Sequence, residues 1–257
     1  MEPLHIALLA GGDSSEREIA LQSAAQVAEA LDPQKYEVKL IDLHHRDWHY
    51  TGPDGRRWQV DKNDFSITVA GEKTLFDYAL ILIHGTPGEN GRLQGYLDMM
   101  GVSYSSCPMT SSVLTFDKIT TKRTLAGTGI RMAPDLFLAA GETADPGEVV
   151  RRLGLPLFVK PNASGSSFGV TKVTACDQLP RAIADARTES DEVLIESCVE
   201  GREIGCGVLV ACGREYLFPV TEIISKHDFF DYEAKYTAGC SDAVSYTHIR
   251  AHETSSN

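Results

Sequence analysis

The run HIALLAGG at residues 5–12 constrains the fold of this chain more than any other feature. An apolar stretch of strand length stops at two glycines, and Ala20, Ala24, Val27, Ala28 and Leu31 then recur on one helical face. Asp32-Pro33 ends that helix, and Tyr36, Val38 and Leu40 alternate as a second strand. Strand, glycine turn, helix and strand make a βαβ unit, so the chain is expected to open as an α/β domain on a parallel sheet. Between residues 50 and 73, the turn chemistry of Gly52-Pro53-Asp54-Gly55 and the alternation of Phe65, Ile67 and Val69 predict an antiparallel excursion that decorates the sheet. Tyr78 to Ile83 is apolar throughout and reads as a central strand ending at His84 and the loop GTPGENG. Ligands of open α/β sheets gather at such carboxyl ends.

A second organisation begins near residue 109. One helix is expected from Ser111 to Leu125, and beyond Pro134 strands are expected at Leu155–Lys160, Val170–Val173, Val193–Val199, Ile204–Val210 and Tyr216–Ile224. Helices are expected near Gly147–Leu153 and Leu179–Arg187, and strands in runs with segregated helices read as α+β. The last fifteen residues, AVSYTHIRAHETSSN, show no apolar periodicity and resemble a translated sequencing-library adapter. They are read as a foreign tail from about Ala243, with a natural polar tail as the alternative, that has no strand or helix to complete and is poorly ordered or weakly packed.

Charge narrows the partners. With 24 Lys+Arg against 36 Asp+Glu, a net charge of −12 disfavours phosphate backbones and anionic membranes, so neither nucleic acid nor membrane is expected as a partner. Apolar runs fall short of the ~20 residues that span a bilayer, and MEPLHIALLAGG lacks a basic leader, so a cytoplasmic location is expected. Cys107, Cys176, Cys198, Cys206, Cys212 and Cys240 include no C-x-x-C pair, which indicates reduced thiols at core or neutral surface positions rather than a zinc knuckle or a disulfide scaffold.

Four segments carry chemistry. In KPNASGSSFG a lysine at the end of an apolar strand precedes a loop of small residues, which lets backbone amides and hydroxyls approach phosphate oxygens; a plain Gly/Ser hairpin is the alternative, and the P-loop spacing is absent. VLIESCVEGRE offers a strand exit whose main chain could read an adenine edge and an acid that could accept from ribose hydroxyls, although an ordinary hairpin would look the same. FFDYEAKY is an aromatic and charged stretch, either a lid or a surface turn, and GGDSSERE places acids in a helical first turn, where the dipole alone favours them.

Together with HGTPGENGRLQGYLDMMGVSY and TFDK, these segments resemble the D-alanine–D-alanine ligase family of the ATP-grasp fold from His5 to about Asp242. The resemblance implies a Rossmann-like N-terminal parallel-sheet domain followed by an incomplete α+β ATP-grasp region. It implies a D-alanine domain over 1–108, a central subdomain over 109–190, the start of a C-terminal subdomain over 191–242, and the tail over 243–257. By the same resemblance, ATP would phosphorylate one D-alanine carboxylate and the amine of a second would attack, giving D-alanyl-D-alanine for peptidoglycan precursors. Lys118, Lys160 and Lys235 would contact phosphates, with Ser164, Gly165 and Ser167 in the covering loop. Glu196 to Val199 would line the adenine site, and Glu203 would hold the ribose. Glu16 would hold the first D-alanine's ammonium, Ser166 and Tyr236 would link Glu16 to the lid, and His84 would sit beside the reacting carboxylate.

Mg²⁺ is implied as well, but the family's metal-binding Asp, Glu and Asn have no counterpart before the tail, so a truncated, inactive chain is expected; a homodimer is implied for the full-length form. A D-alanine–D-lactate or D-serine ligase shares every one of these motifs. A non-catalytic nucleotide-binding module is a further alternative, and a dehydrogenase built on HIALLAGG would need a glycine fingerprint that Asp42 does not accompany.

Overall fold

The computed structural model describes residues 2–225 and 241–246. Strand β1 (Leu4–Gly11), helix α1 (Arg17–Ala30) and strand β2 (Tyr36–His44) form the expected βαβ unit, with β1 and β2 parallel from Leu4↔Tyr36 to Gly11↔Leu43. Ala20 and Ala24 are fully buried, and such small side chains let α1 lie close against Leu8 and Ala10 of β1. Gly12, at φ +97°, makes the turn out of β1 in a region that side chains avoid; a Cβ there would also stand 2.6 Å from Ile83 Cγ2.

Strands β3 (Asp47–Thr51), β4 (Arg57–Asp61), β5 (Ser66–Val69) and β6 (Glu72–Leu75) run antiparallel outward from β2. On the other side of β1 lies parallel β7 (Tyr78–Ile81), and after α2 (Arg92–Met100) comes β8 (Ser103–Tyr104). The order β6-β5-β4-β3-β2-β1-β7-β8 makes one eight-stranded mixed sheet. The expected decoration is therefore half of the sheet itself. The cause is the two-residue turn His45-Arg46, which pairs His44 with Asp47 and sends the chain straight back along the edge of β2. Beneath it, Leu9, Ile41, Leu43, Phe65, Ile67, Leu93 and Leu97 form the first core.

Helices α3 (Met109–Phe116) and α4 (Lys118–Leu125) replace the single helix expected over this stretch. Asp117 adopts extended angles (φ −84°, ψ 109°) and its side chain accepts from the Thr120 amide, so it stops one helix and caps the next. Then follow β9 (Asp135–Leu138), α5 (Pro146–Leu153), β10 (Leu157–Pro161), β11 (Thr171–Val173), a 3₁₀ turn at Cys176–Gln178, α6 (Leu179–Ala186) and β12 (Val193–Ser197). The strands form an antiparallel sheet in the order β11-β10-β12-β9, and α5 and α6 pack Val149, Leu153, Leu179, Ala182 and Ala186 onto Leu157, Val159, Val193 and Ile195.

The two longer strands expected beyond residue 200 are each divided, giving β13 (Glu203–Gly205), β14 (Val208–Ala211), β15 (Arg214–Leu217) and β16 (Val220–Ser225). The breaks fall at Cys206-Gly207 and Phe218-Pro219, where the Phe218 amide donates to the Gly207 carbonyl at 2.8 Å and Pro219 has no amide to give to a ladder. Strands β14 and β15 close a hairpin of their own, while β13 pairs with β16. Strand β17 (Ser241–Tyr246) lies antiparallel along the other side of β16, from Val220↔Tyr246 to Ser225↔Ser241. The segment read as an unstructured tail from Ala243 thus begins inside a strand. An open sheet edge offers unpaired backbone groups, and a β-capable stretch such as Ala243-Val244-Ser245-Tyr246 can satisfy them without an apolar stripe.

Among the described residues no helix is long and apolar enough to cross a membrane. Cys107, Cys176, Cys198, Cys206 and Cys212 are free thiols, and none of the five is buried.

Candidate functional site

Strand β10 alternates Leu157, Val159 and Pro161 into the core with Phe158 and Lys160 on the opposite face, so the lysine emerges away from α5 and α6. The chain then turns through a loop in which Ser166 (φ 46°) and Ser167 (φ 63°) take left-handed angles, and returns as β11. Lys118, Lys160, Ser164, Gly165, Ser166, Ser167 and Glu203 converge on one cleft of about 370 Å³. Of the residues that the resemblance assigns to the nucleotide, Lys118, Lys160, Ser164, Gly165, Ser167 and Glu203 line it. Val199 stands outside that lining and is 72% exposed, and Lys235 and Tyr236 lie outside the described residues.

Lys118, the first residue of α4, donates from Nζ to the Ser164 carbonyl at 2.8 Å and to the Asn162 carbonyl at 3.3 Å, which ties the helix to the loop. Asn162 is the hub of this junction. Fully buried, it accepts from the Ile119 amide at 2.9 Å and donates to Asp117 Oδ2 at 2.6 Å and Glu192 Oε2 at 3.0 Å. Nothing about an asparagine two residues past a strand lysine announced that role in the sequence.

Glu196 on β12 sits between two ammonium groups. Lys122 Nζ donates to its Oε1 at 2.6 Å, and Lys160 pairs with its Oε2. Burial alone pushes the Glu196 carboxyl up, but the Lys160 and Lys122 charges overturn this and hold it below the usual carboxylate range. Burial likewise works against the charge on Lys122, and the hydrogen bonds and charges of Glu196 and Asp135, the latter 2.9 Å away, leave its pKa raised. Lys122 and Asp135 were absent from the sequence-based site. A signal existed, since Lys122 is four residues past Lys118 on α4 and therefore on the same helical face.

The backbone at the exit of β12 is partly committed. The Ser197 amide donates to the Pro134 carbonyl at 3.0 Å and the Cys198 amide to the Pro156 carbonyl at 3.1 Å. A base edge read at this point would have to use other main-chain groups, of which the Val199 amide is the next in line.

The second group of residues meets where the loop after β10 touches the N-terminal sheet. Glu16 precedes α1, is only 3% exposed, and accepts a hydrogen bond from Ser166 Oγ across 150 residues of sequence. His84 Nδ1 stands 4.0 Å from Glu16 Oε1, and the His84 carbonyl accepts from Ser14 Oγ at 2.7 Å. Gly165 permits the approach, because a Cβ there would lie 2.6 Å from Glu16 Oε2. Next to this junction a cleft of about 350 Å³ is lined by Ser14, Ser15, Gly85, Thr86, Ser164 and Gly165 among others. Ser15 Oγ reaches Glu189 at 2.9 Å and forms a further tie between the two halves. The arrangement sets the Glu16 carboxylate behind Gly85 and Gly165 of one cleft, with the His84 imidazole lining a neighbouring one, and two lysines with a small-residue loop in the other, Ser164 and Gly165 being common to the first and the last.

Residues 5–107 match the family model described as D-ala D-ala ligase N-terminus, and residues 126–257 match the one described as D-ala D-ala ligase C-terminus. The D-alanine–D-alanine ligase of Phocaeicola vulgatus is 48% identical over 231 residues, 90% of this chain and 71% of the relative. Among solved structures, D-alanyl-alanine synthetase A of Vibrio cholerae superposes with a TM-score of 0.84 at 30% identity, covering 98% of this chain and 77% of that one. The Bacillus anthracis D-alanine–D-alanine ligase complexed with ATP gives a TM-score of 0.71 at 29% identity, covering 99% of this chain and 74% of that one.

Proposed function

Because the chain belongs to the D-alanine–D-alanine ligase family, a family of ATP-using carbon–nitrogen ligases that make D-alanyl-D-alanine for peptidoglycan, we propose that its two adjoining clefts divide the reaction between them. The cleft of Lys118 and Lys160 holds the ATP phosphates, and the Glu16 junction holds the first D-alanine. The observation that carries this reading is the convergence of Lys118, Lys160 and the Ser164–Ser167 loop on one cleft that shares Ser164 and Gly165 with the cleft beside Glu16.

The donor set suits a polyphosphate. A lysine ammonium has three donors, so Lys160 can keep its bond to Glu196 and still donate into the cleft, and the ion pair fixes where that charge stands. Bound there, ATP supplies the phosphoryl group that activates a carboxylate. Around it, Lys118 and Lys160 offset the charge that gathers as a carboxylate and a phosphate approach each other, and the Ser164–Ser167 loop adds amides and hydroxyls that need little rearrangement. Because the same loop is pinned to Glu16 by Ser166, its closure over the phosphates and the seating of the amino acid are mechanically linked. Glu16, buried and carrying one hydrogen bond from Ser166, presents its remaining oxygen capacity to an ammonium, and His84 stands close enough to orient the neighbouring carboxylate. Mg²⁺ would draw here on Glu203, the carboxylate in that cleft lining among the described residues, with ATP phosphate oxygens and water completing its shell, since the ion is usually held by one or two carboxylates and phosphates.

ATP titration of the protein and of its Lys118→Ala and Lys160→Ala variants tests the assignment. Each variant should bind ATP about tenfold or more weakly, as expected for a lost charge-assisted phosphate bond of roughly 1.5–3 kcal/mol, while Lys62→Ala, far out on the N-terminal sheet, should bind as the parent does. Equal affinities in all four proteins would remove the phosphates from this cleft.

A further inference from the structure

We propose that Asp13, His44 and His45 form a surface site for a divalent transition-metal ion of the zinc class, which clips the β1–α1 turn to the β2–β3 turn. One ligand atom from each of the three lies within 4.8 Å of the others, and all three residues are solvent-accessible. Consecutive strand residues ordinarily point to opposite faces and cannot chelate. Here His45 takes φ +52°, which breaks the alternation and brings its ring to 4.4 Å from that of His44, centroid to centroid.

The turn that does this is held at both ends. The His45 amide donates to Asp13 Oδ1 at 2.5 Å, and the Trp48 indole donates to the His45 carbonyl at 3.0 Å. His45 Nδ1 is already 3.3 Å from Asp13 Oδ1. Ligands of a tetrahedral zinc ion with bonds of about 2.0–2.1 Å are separated by about 3.3 Å, so two of the three donors stand at bonding spacing and the exposed His44 ring needs only a small rotation. Two imidazoles and a carboxylate suit zinc, nickel or copper and are a poor match for Mg²⁺ or Ca²⁺, which take oxygen ligands. A chain of net charge −12 also concentrates cations at its surface.

His44 and His45 line neither of the two clefts assigned above, whereas Asp13 also lines the one beside Glu16, so the site adjoins that cleft from its outer side. It does touch their support. Asp13 is three residues before Glu16, and its amide donates to the Thr86 carbonyl at 2.9 Å, so a bound ion stiffens the turn that delivers Glu16.

Titration of the protein with Zn²⁺, and separately with Co²⁺ followed by absorption, provides the test. The protein should bind one Zn²⁺ that a His44→Gln/His45→Asn double variant binds at least about tenfold more weakly, since loss of a ligand should cost no less than the 10–100-fold that loss of a supporting residue costs. Asparagine tolerates the left-handed angle at 45, so the turn should survive, and ATP affinity should be the same in both proteins. Asp13→Asn, which keeps an acceptor for the His45 amide, serves as an independent variant and should also weaken binding. Bound Co²⁺ should show ligand-field bands without the thiolate charge-transfer absorption that any of the cysteines would produce. Zn²⁺ affinity unchanged in the double variant, thiolate absorption with Co²⁺, or no binding below about millimolar Zn²⁺ would each overturn the site.

Discussion

Replacing Glu196 by Ala removes the carboxylate that two lysines share, and the cost can be worked from its surroundings. Glu196 is 13% exposed at its side chain, Lys122 12% and Lys160 25%, so all three charges are substantially withdrawn from water. Removing one partner of a buried pair costs about 3–5 kcal/mol, and each charge-assisted hydrogen bond contributes about 1.5–3 kcal/mol net. Two features lower the total: Lys122 keeps Asp135 and the Ala133 carbonyl, and Lys160 can turn toward the open cleft. An expected destabilisation of about 2–4 kcal/mol remains, read as a shift in the urea midpoint of the central region at unchanged slope.

The milder Glu196→Gln variant makes the same argument depend on pH. The folded-state pKa of Glu196 lies below its ordinary value of 4.5, so its stabilising contribution is complete above that value and is lost as pH falls through the folded-state pKa. Parent and variant should therefore differ most near neutral pH and approach each other as pH falls from 4.5 through the folded-state pKa, below which the protonated acid and the amide are alike in charge. A difference that stays constant across that range, or a Glu196→Ala cost under about 0.5 kcal/mol, would refute the claim that the two lysines and Glu196 act as one paired unit.

Asn162→Ala should cost about 2–4 kcal/mol, because it strands the Ile119 amide and the carboxylates of Asp117 and Glu192; Asn162→Asp, which sets a third carboxylate between those two, should unfold at lower urea still. Gly165→Ala should open the Glu16–Ser166 contact and weaken binding of D-alanine more than binding of ATP, measurable by titrating each ligand separately; equal effects on the two would separate the loop's steric role from Glu16.

The elements with long, clean periodicity were legible in the sequence. The βαβ opening, α5 and α6 fall where apolar spacing and turn residues put them, because each is decided by which side chains within one short window can share a face. Where the reading erred, a single backbone position outweighed the pattern: Asp117 capping a new helix inside an apolar run, or Gly207 and Phe218 diverting strands into different sheets. Resemblance to a family named Lys118, Lys160, Glu16 and Ser166, but it could not show Lys122 and Asp135 fixing Glu196, or Asn162 joining α4 to the end of β10. Those contacts join residues tens of positions apart and have no local signature, since an asparagine or a lysine reads the same in a window whether it meets solvent or a buried carboxylate. The order of strands in each sheet settles which. By folding β10, β12 and α4 against one another, the tertiary structure takes three charges out of water together, and only then does their pairing become an energetic necessity.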